Sequence, residues 1–179
     1  MIRAVAYTPA HKERWNGFVQ TARNALFMFD RNYMDYHADR FTDHSLLLCD
    51  GDEPLALLPA NRKGDELVSH GGLTFGGFVV GKGMRVDKML LCFAALHDHM
   101  AAEGFCRLVY KAVPHIYHSA PAQEDLYGLF VNDAVLLKAE VSAAIDLRNP
   151  SPISRGRKPY INKAVKEGII VAESDDLSG

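Results

Sequence analysis

The chain of 179 residues predicts a mixed α/β domain. Three observations lead there. Apolar runs of strand length at residues 45–49, 54–59 and 107–113 are bounded by Gly, Pro, Asn and Asp. An amphipathic stretch, with Val86, Met89, Leu90, Phe93, Leu96 and Met100 at helical spacing, separates the last two runs. The composition, 48% hydrophobic and 23% charged, is that of a chain able to bury a core.

Residues 2–7 read as the first strand. Thr8-Pro9 then supplies a helix N-cap and the proline favoured at the first helical position. Trp15, Phe18, Val19, Ala22 and Leu26 recur with helical period, so a helix is expected to about residue 26, and a more polar one over 32–41. Residues 45–49 and 54–59 form a hairpin around Asp50-Gly51-Asp52. Residues 61–65 are a turn, and a strand from Glu66 leads into Ser69-His70-Gly71-Gly72-Leu73-Thr74-Phe75-Gly76-Gly77 and on to Val80. That segment holds four of the 14 glycines, more than an ordinary strand interior tolerates. The helix after Gly83 ends at Gly104 in the C-cap position. Residues 107–113 are a strand closed by Pro114, 115–131 a helix interrupted at Pro121, and 135–145 a long, partly alternating strand. Asn149-Pro150-Ser151-Pro152 is the expected linker, dividing a domain of 1–149 from a segment of 150–179 with a short basic helix, a strand at 169–171 and an acidic end at 173–176.

Charge narrows the function classes. Twenty basic against 22 acidic residues leave a net charge of -2, and no general nucleic-acid partner follows from that. No apolar stretch approaches the roughly 20 residues of a membrane-spanning helix. The N-terminus lacks a secretory-signal pattern, so the expected compartment is the cytoplasm. Cys49, Cys92 and Cys106 lie in apolar surroundings and read as buried thiols, with neither a disulfide framework nor a zinc site indicated.

Chemistry has three candidate locations. In the first, the glycines of 69–77 interrupt an apolar strand beside a Ser69-His70 pair, a local conflict that tends to mark a functional site. Gly81-Lys82-Gly83, before a strong helix, is an anion-site candidate, with a bend in a splayed sheet as the plainer alternative. The second is the strand end Tyr110-Lys111 with His115, Tyr117 and His118, since sites in open α/β sheets gather at carboxyl ends of strands. There Lys111 suits a phosphate or carboxylate, and His115 and His118 at i, i+3 suit hydrogen bonding or proton transfer near neutral pH. The third is the polar segment 31–45, with Arg31, Tyr33 and Tyr36, read as substrate-facing or as a solvated helix face. Asp43-His44-Ser45 is not a hydrolase triad, because adjacent strand residues face opposite sides. His97 and His99 read as surface residues, and the bases from Arg155 to Lys166 as a solvated helix that can also meet a pyrophosphate.

Five motifs in order carry a family resemblance: Arg31-x-Tyr33-Met34-x-Tyr36 with Arg40-Phe41-x-Asp43-x-Ser45; Leu58-Pro59-Ala60-Asn61; Ser69 to Gly77; Tyr110-Lys111-x-Val113-Pro114-x-Ile116-Tyr117-His118; and Glu124-Asp125-x-Tyr127-x-Leu129-Phe130. Together they resemble the N-terminal half of GNAT-superfamily acyltransferases related to the Fem aminoacyltransferases. The resemblance implies a GNAT-like mixed central sheet flanked by helices, one copy plus the start of an incomplete second. It also implies transfer of an acyl or aminoacyl group from an activated donor, acyl-CoA or similar as co-substrate with no tightly bound cofactor, to an amine of a sugar nucleotide or cell-envelope precursor.

In that reading His70 or His115 relays the proton, backbone amides near Gly72 to Gly77 meet the oxyanion, and Gly81, Lys82 and Gly83 face the donor. Acceptor contacts fall to Arg31, Tyr33, Tyr36, Ser69, Gly71, Gly72, Thr74, Gly76, Gly77, Lys111, Tyr117 and His118. The usual donor loop Q/R-x-x-G-x-G/A is absent, and the second copy that completes the family's cleft is only begun, so little transfer by this chain alone is expected. The rival readings are a noncatalytic acceptor-binding or assembly module and, behind it, an unrelated ligand-binding α/β domain. The apolar residues after 150 cannot bury themselves, so a homodimer or a tail folded back on its own sheet is expected.

Overall fold

The computed structural model describes residues 1–141 and 143–173 and divides into two compact units, residues 1–135 and the chain from Leu136 onward. The first is mixed α/β, the class expected from the sequence. Its first sheet has the order β1 (Ile2–Ala6), β3 (Leu46–Asp50), β4 (Glu53–Leu58), β7 (Val79–Val80), antiparallel throughout. The second sheet runs β2 (Thr42–Asp43), β5 (Asn61–Lys63), β6 (Glu66–Val68), β8 (Arg107–Val109), and its last pair is parallel. A parallel pair needs a long crossover. Helix α3 (Val86–Glu103) lies within it and ends at Gly104, whose φ of 73° no β-carbon-bearing residue adopts without cost.

The first sheet is covered on both faces, which explains why β3 is continuously apolar instead of alternating. Leu46 and Leu48 join Phe78, Met89, Phe93 and Leu96 in one core cluster with α3. Leu47 and Cys49 join Trp15, Val19, Phe29 and Leu57 in another, under α1 (Lys12–Thr21). Each buried leucine contributes about 1.5 to 3 kcal/mol. The hairpin between β3 and β4 turns at Gly51, φ 61°, as its Asp-Gly-Asp sequence dictates.

Several sequence expectations are corrected. The first helix ends at Thr21 and not near Leu26, because Ala22 turns extended and the chain then runs along β7. There the Arg23 amide donates to the Val80 carbonyl at 2.9 Å, and the Asn24 side chain bonds both Phe78 O and Val80 N at 2.8 Å. The polar stretch after it is a single short turn, α2 (Arg31–Met34), capped by the Asp30 carboxylate and followed by a 3-10 turn. Residues 61–65 are a hairpin, with Gly64 at φ 63° forming the turn between β5 and β6. Residues 69–77 are loop. The helix expected over 115–131 is interrupted at Pro121 as expected, but its first part is only a 3-10 turn (His115–Tyr117), and α4 (Glu124–Val131) follows the irregular stretch. Cys106 is exposed, whereas Cys49 and Cys92 are buried.

In the second unit the strands expected at 135–145 and 169–171 are not formed among the described residues, since none of them has a paired neighbour. Helix α5 (Lys158–Lys166) is the basic helix expected there. Apart from a partly covered Ala164, every described residue of this unit is exposed, including Leu137, Val141, Ile145, Leu147, Ile161 and Val171. The acidic end beyond Glu173 lies outside the described residues.

Candidate functional site

Two irregular segments leave the carboxyl ends of the parallel neighbours β6 and β8, the position where open α/β sheets place ligands. They are sewn to each other. The Ser69 amide donates to Val109 O at 2.8 Å, the Lys111 amide to Ser69 Oγ at 2.6 Å, and the Gly76 amide to Lys111 O at 2.9 Å. The Lys111 ammonium donates to His70 O at 2.6 Å and also to Leu73 O. It therefore ties the glycine-rich loop together, and burial pushes its pKa below the usual lysine value.

The glycines of this loop serve close packing. A β-carbon at Gly72 would overlap the Phe41 ring, one at Gly76 the Ser69 carbonyl, and one at Gly77, φ 73°, would sit 2.7 Å from the Tyr110 ring. Of the amides expected to meet an oxyanion, those of Gly72, Leu73 and Gly76 are engaged internally, and so are the flanking amides of Gly71 and Phe78. Gly71 N donates to Asn61 Oδ1 at 2.6 Å, Gly72 N to His70 Nδ1 at 3.3 Å, Leu73 N to His70 O at 3.1 Å, and Phe78 N to Tyr110 Oη at 2.6 Å.

Beside this loop, Arg31 is 2% exposed, with its guanidinium 3.4 Å from the centre of the Tyr7 ring and 4.2 Å from that of Trp15. Its Nη1 donates to Asp43 at 2.7 Å, while Asp35 stands at 3.9 Å. Arg31, Asp35, Phe41, Asp43 and His70 line a cavity of about 30 Å³, room for about one water and not for a substrate. The Asp43 carboxylate also accepts from Ser45 Oγ at 2.6 Å, so Asp43 and Ser45 share a structural knot while His44 points elsewhere, as strand alternation requires.

The second segment makes the larger recess. His115, His118, Ser119, Ala120, Pro121 and Gln123 line an open groove of about 290 Å³, at the lower edge of the roughly 300 to 1,000 Å³ typical of small-molecule sites. Its shape is held from α1's exit. Ser119 N and Oγ both donate to Arg23 O, at 2.7 and 2.9 Å, and the Arg23 guanidinium reaches Pro121 O at 2.6 Å and Glu124 at 2.7 Å. His118 Nε2 lies 3.2 Å from Val113 O, which fixes the proton on Nε2 and leaves Nδ1 as a buried acceptor without a bonding partner. Behind the groove, the buried Tyr110 hydroxyl donates to Asp125 at 2.8 Å. Burial raises the Asp125 pKa, opposed by that hydrogen bond, and it raises the Tyr110 pKa well above the ordinary value.

The structure thus distributes the residues singled out in the sequence. Arg31 and His70 share the small cavity; Ser69, Gly71, Gly72, Gly76, Gly77 and Lys111 form the pinned loop; His115 and His118 line the groove, although His118 is extended and not on a helical face with His115. Tyr117 packs against Phe75 with ring centres 5.3 Å apart, Thr74 is exposed, Tyr33 packs edge-on against Phe27 at 5.2 Å, and Tyr36 is exposed. Gly81, Lys82 and Gly83 form a turn before α3, with Met84 N bonded to Gly81 O at 3.2 Å, and line neither recess. The groove also takes in Ser119 and Gln123, and Arg23 braces it, none of which the sequence marks as site residues. Their only sequence signal is the Pro121 interruption, which marks a loop where a helix was expected. Among the described residues no cluster of three or more His, Cys, Asp and Glu can hold a metal, and no helix is long and apolar enough to cross a membrane.

No protein-family model matches the chain, and no curated protein matches it. Solved structures similar to it include a point mutant of TTHA1254 from Thermus thermophilus, 17% identical, covering 80% of this chain and 96% of that one with a TM-score of 0.47. Wild-type TTHA1254 is also 17% identical, covering 81% and 97%, with a TM-score of 0.45.

Proposed function

We propose that this chain is an acceptor-binding domain of the N-acyltransferase type, GNAT-like and related to the Fem aminoacyltransferases, that holds an amine-bearing sugar nucleotide or cell-envelope precursor in the cytoplasm. The observation that carries this reading is the contrast in availability between two neighbouring segments. The groove at His115 and His118 is open, while the amides of Gly72, Leu73 and Gly76 and the Lys111 ammonium, expected to meet an oxyanion and an acceptor, are engaged in holding the fold. A general base must reach the proton it removes. His70 is buried at the edge of a water-sized cavity, which leaves His115, exposed on the groove, as the member of that pair placed to meet an acceptor amine. The ordered motifs and the parallel pair in the second, mixed sheet support the GNAT-like assignment. An acyl-CoA or similar donor is the co-substrate of the complete reaction.

The test is a titration of a UDP-amino sugar into the protein, coupled to a free-thiol release assay with acetyl-CoA. Saturable binding without thiol release is expected. Turnover well above the buffer rate contradicts a purely binding role, and absence of binding contradicts the acceptor assignment.

The exposed apolar residues of the second unit favour a companion reading, an assembly module that covers them by forming a homodimer. Light scattering that shows a monomer at micromolar concentration contradicts it.

A further inference from the structure

His44, just after β2, and His99, in the last turns of α3, meet Nε2 to Nε2 at 2.9 Å, with ring centres 5.2 Å apart. A contact of that length is an N–H···N bond, so one ring presents Nε2–H and the other a lone pair. The first proton added to the pair can sit on the outer nitrogen of the donor ring and leave the bond intact. The second must enter the bond itself and set two N–H groups against each other.

The surroundings oppose that second charge. Arg62, from β5, packs its guanidinium on the Phe105 ring at 3.9 Å, and Phe105 meets the His44 ring edge-on at 4.8 Å. Burial lowers the pKa of both histidines. For His44 the partner ring and Arg62 lower it further, against smaller opposing effects of Glu103 on α3 and Asp43 on β2; for His99, Glu103 raises and Arg62 lowers. Glu103 is itself held by Arg62 at 3.4 Å.

We propose that His44 and His99 form an acid-released latch between the β2 segment and α3. What the latch holds gives it consequence. Strand β2 has only two residues, paired with Asn61 and Arg62, and its Asp43 is the carboxylate that neutralises the buried Arg31. Phe41, one residue before it, is the ring packed over Gly71 and Gly72. When the second proton drives the imidazoles apart, Asp43 and Phe41 lose their anchor, and the cavity around Arg31 opens beside the glycine-rich loop. The sign follows from the depressed folded-state pKa values. Below the ordinary histidine value of 6.5 the unfolded or locally opened chain binds more protons, so the latch is fully effective above 6.5 and weakens as pH falls from there toward the folded pKa values.

The test is nitrogen-15 NMR of the imidazole rings in the wild-type protein from pH 8 to 5, with amide exchange measured at pH 7 and 5.5. Both rings are expected to titrate below 6.5 in two steps. The protection factor of the His44 amide, which donates to Ala60 O at 2.9 Å, should fall about tenfold, while amides in β3 keep theirs. In His99→Gln, whose amide can still donate to His44, the selective fall should vanish. Either ring titrating at or above 6.5 overturns the proposal, as does an equal loss of His44 protection in wild type and variant. The wild-type titration decides the matter even if the variant does not fold.

Discussion

The loops that follow β6 and β8 begin side by side, yet they use their polar groups in opposite ways. Residues 69–77 turn inward: the amides of Ser69, Gly71, Gly72, Leu73 and Gly76 and the Lys111 ammonium bond within the fold, and glycine lets the backbone approach Phe41, Ser69 and Tyr110. Residues 115–123 are held through Arg23, Val113 and the packing of Tyr117 on Phe75, and enclose an open groove. A high density of glycine therefore reports close packing here, and the open groove belongs to a segment with no glycine at all.

The strongest way to break this comparison is to crowd the packed loop. Gly76→Ala places a methyl on the Ser69 carbonyl, a backbone atom that cannot swing aside, and should cost about 3 kcal/mol in urea denaturation. A cost under about 0.5 kcal/mol would show that the loop is slack and free to serve a ligand. Lys111→Met removes charge-assisted bonds to two carbonyls and should destabilise by about 2 kcal/mol. If Lys111 instead serves an acceptor phosphate, the same variant would keep its stability and lose affinity, which separates the two roles. The smallest effect is expected at Gly83→Ala. Nothing lies within 4 Å of the new methyl, so stability should stay within about 0.5 kcal/mol by thermal denaturation. A larger loss would show that the turn before α3 has a constraint absent from its packing.

The parts of the fold legible in the sequence are those set by local signals. The β3–β4 hairpin follows from Asp-Gly-Asp between apolar runs, and α3 with its Gly104 cap follows from period and terminator. Elements decided by distant partners were not legible. The early end of α1 depends on Asn24 substituting for a strand beside β7, whereas the interruption of 115–131 was legible in Pro121 and only its bracing by Arg23, from far away in the chain, was not. The alternating pattern at 135–145 has strand character, but a strand needs a neighbour, and sequence alternation cannot supply one. For the candidate site, residue types at the end of β8 pointed to the segment that forms the open groove. Their commitments were hidden, because whether Lys111 or a loop amide is already bonded depends on packing and not on identity. The His44–His99 contact joins residues far apart in sequence and leaves no local trace.

The account rests on ligand binding at the groove and not at the glycine-rich loop, and chemical-shift mapping tests this most directly. On titration with a UDP-amino sugar, the amides of Ile116, Tyr117, Ser119, Ala120 and Gln123 should move saturably, while those of Gly71, Gly72 and Gly76 stay in place within their internal bonds. Saturable shifts confined to residues 69–77, with the groove unmoved, would contradict the account.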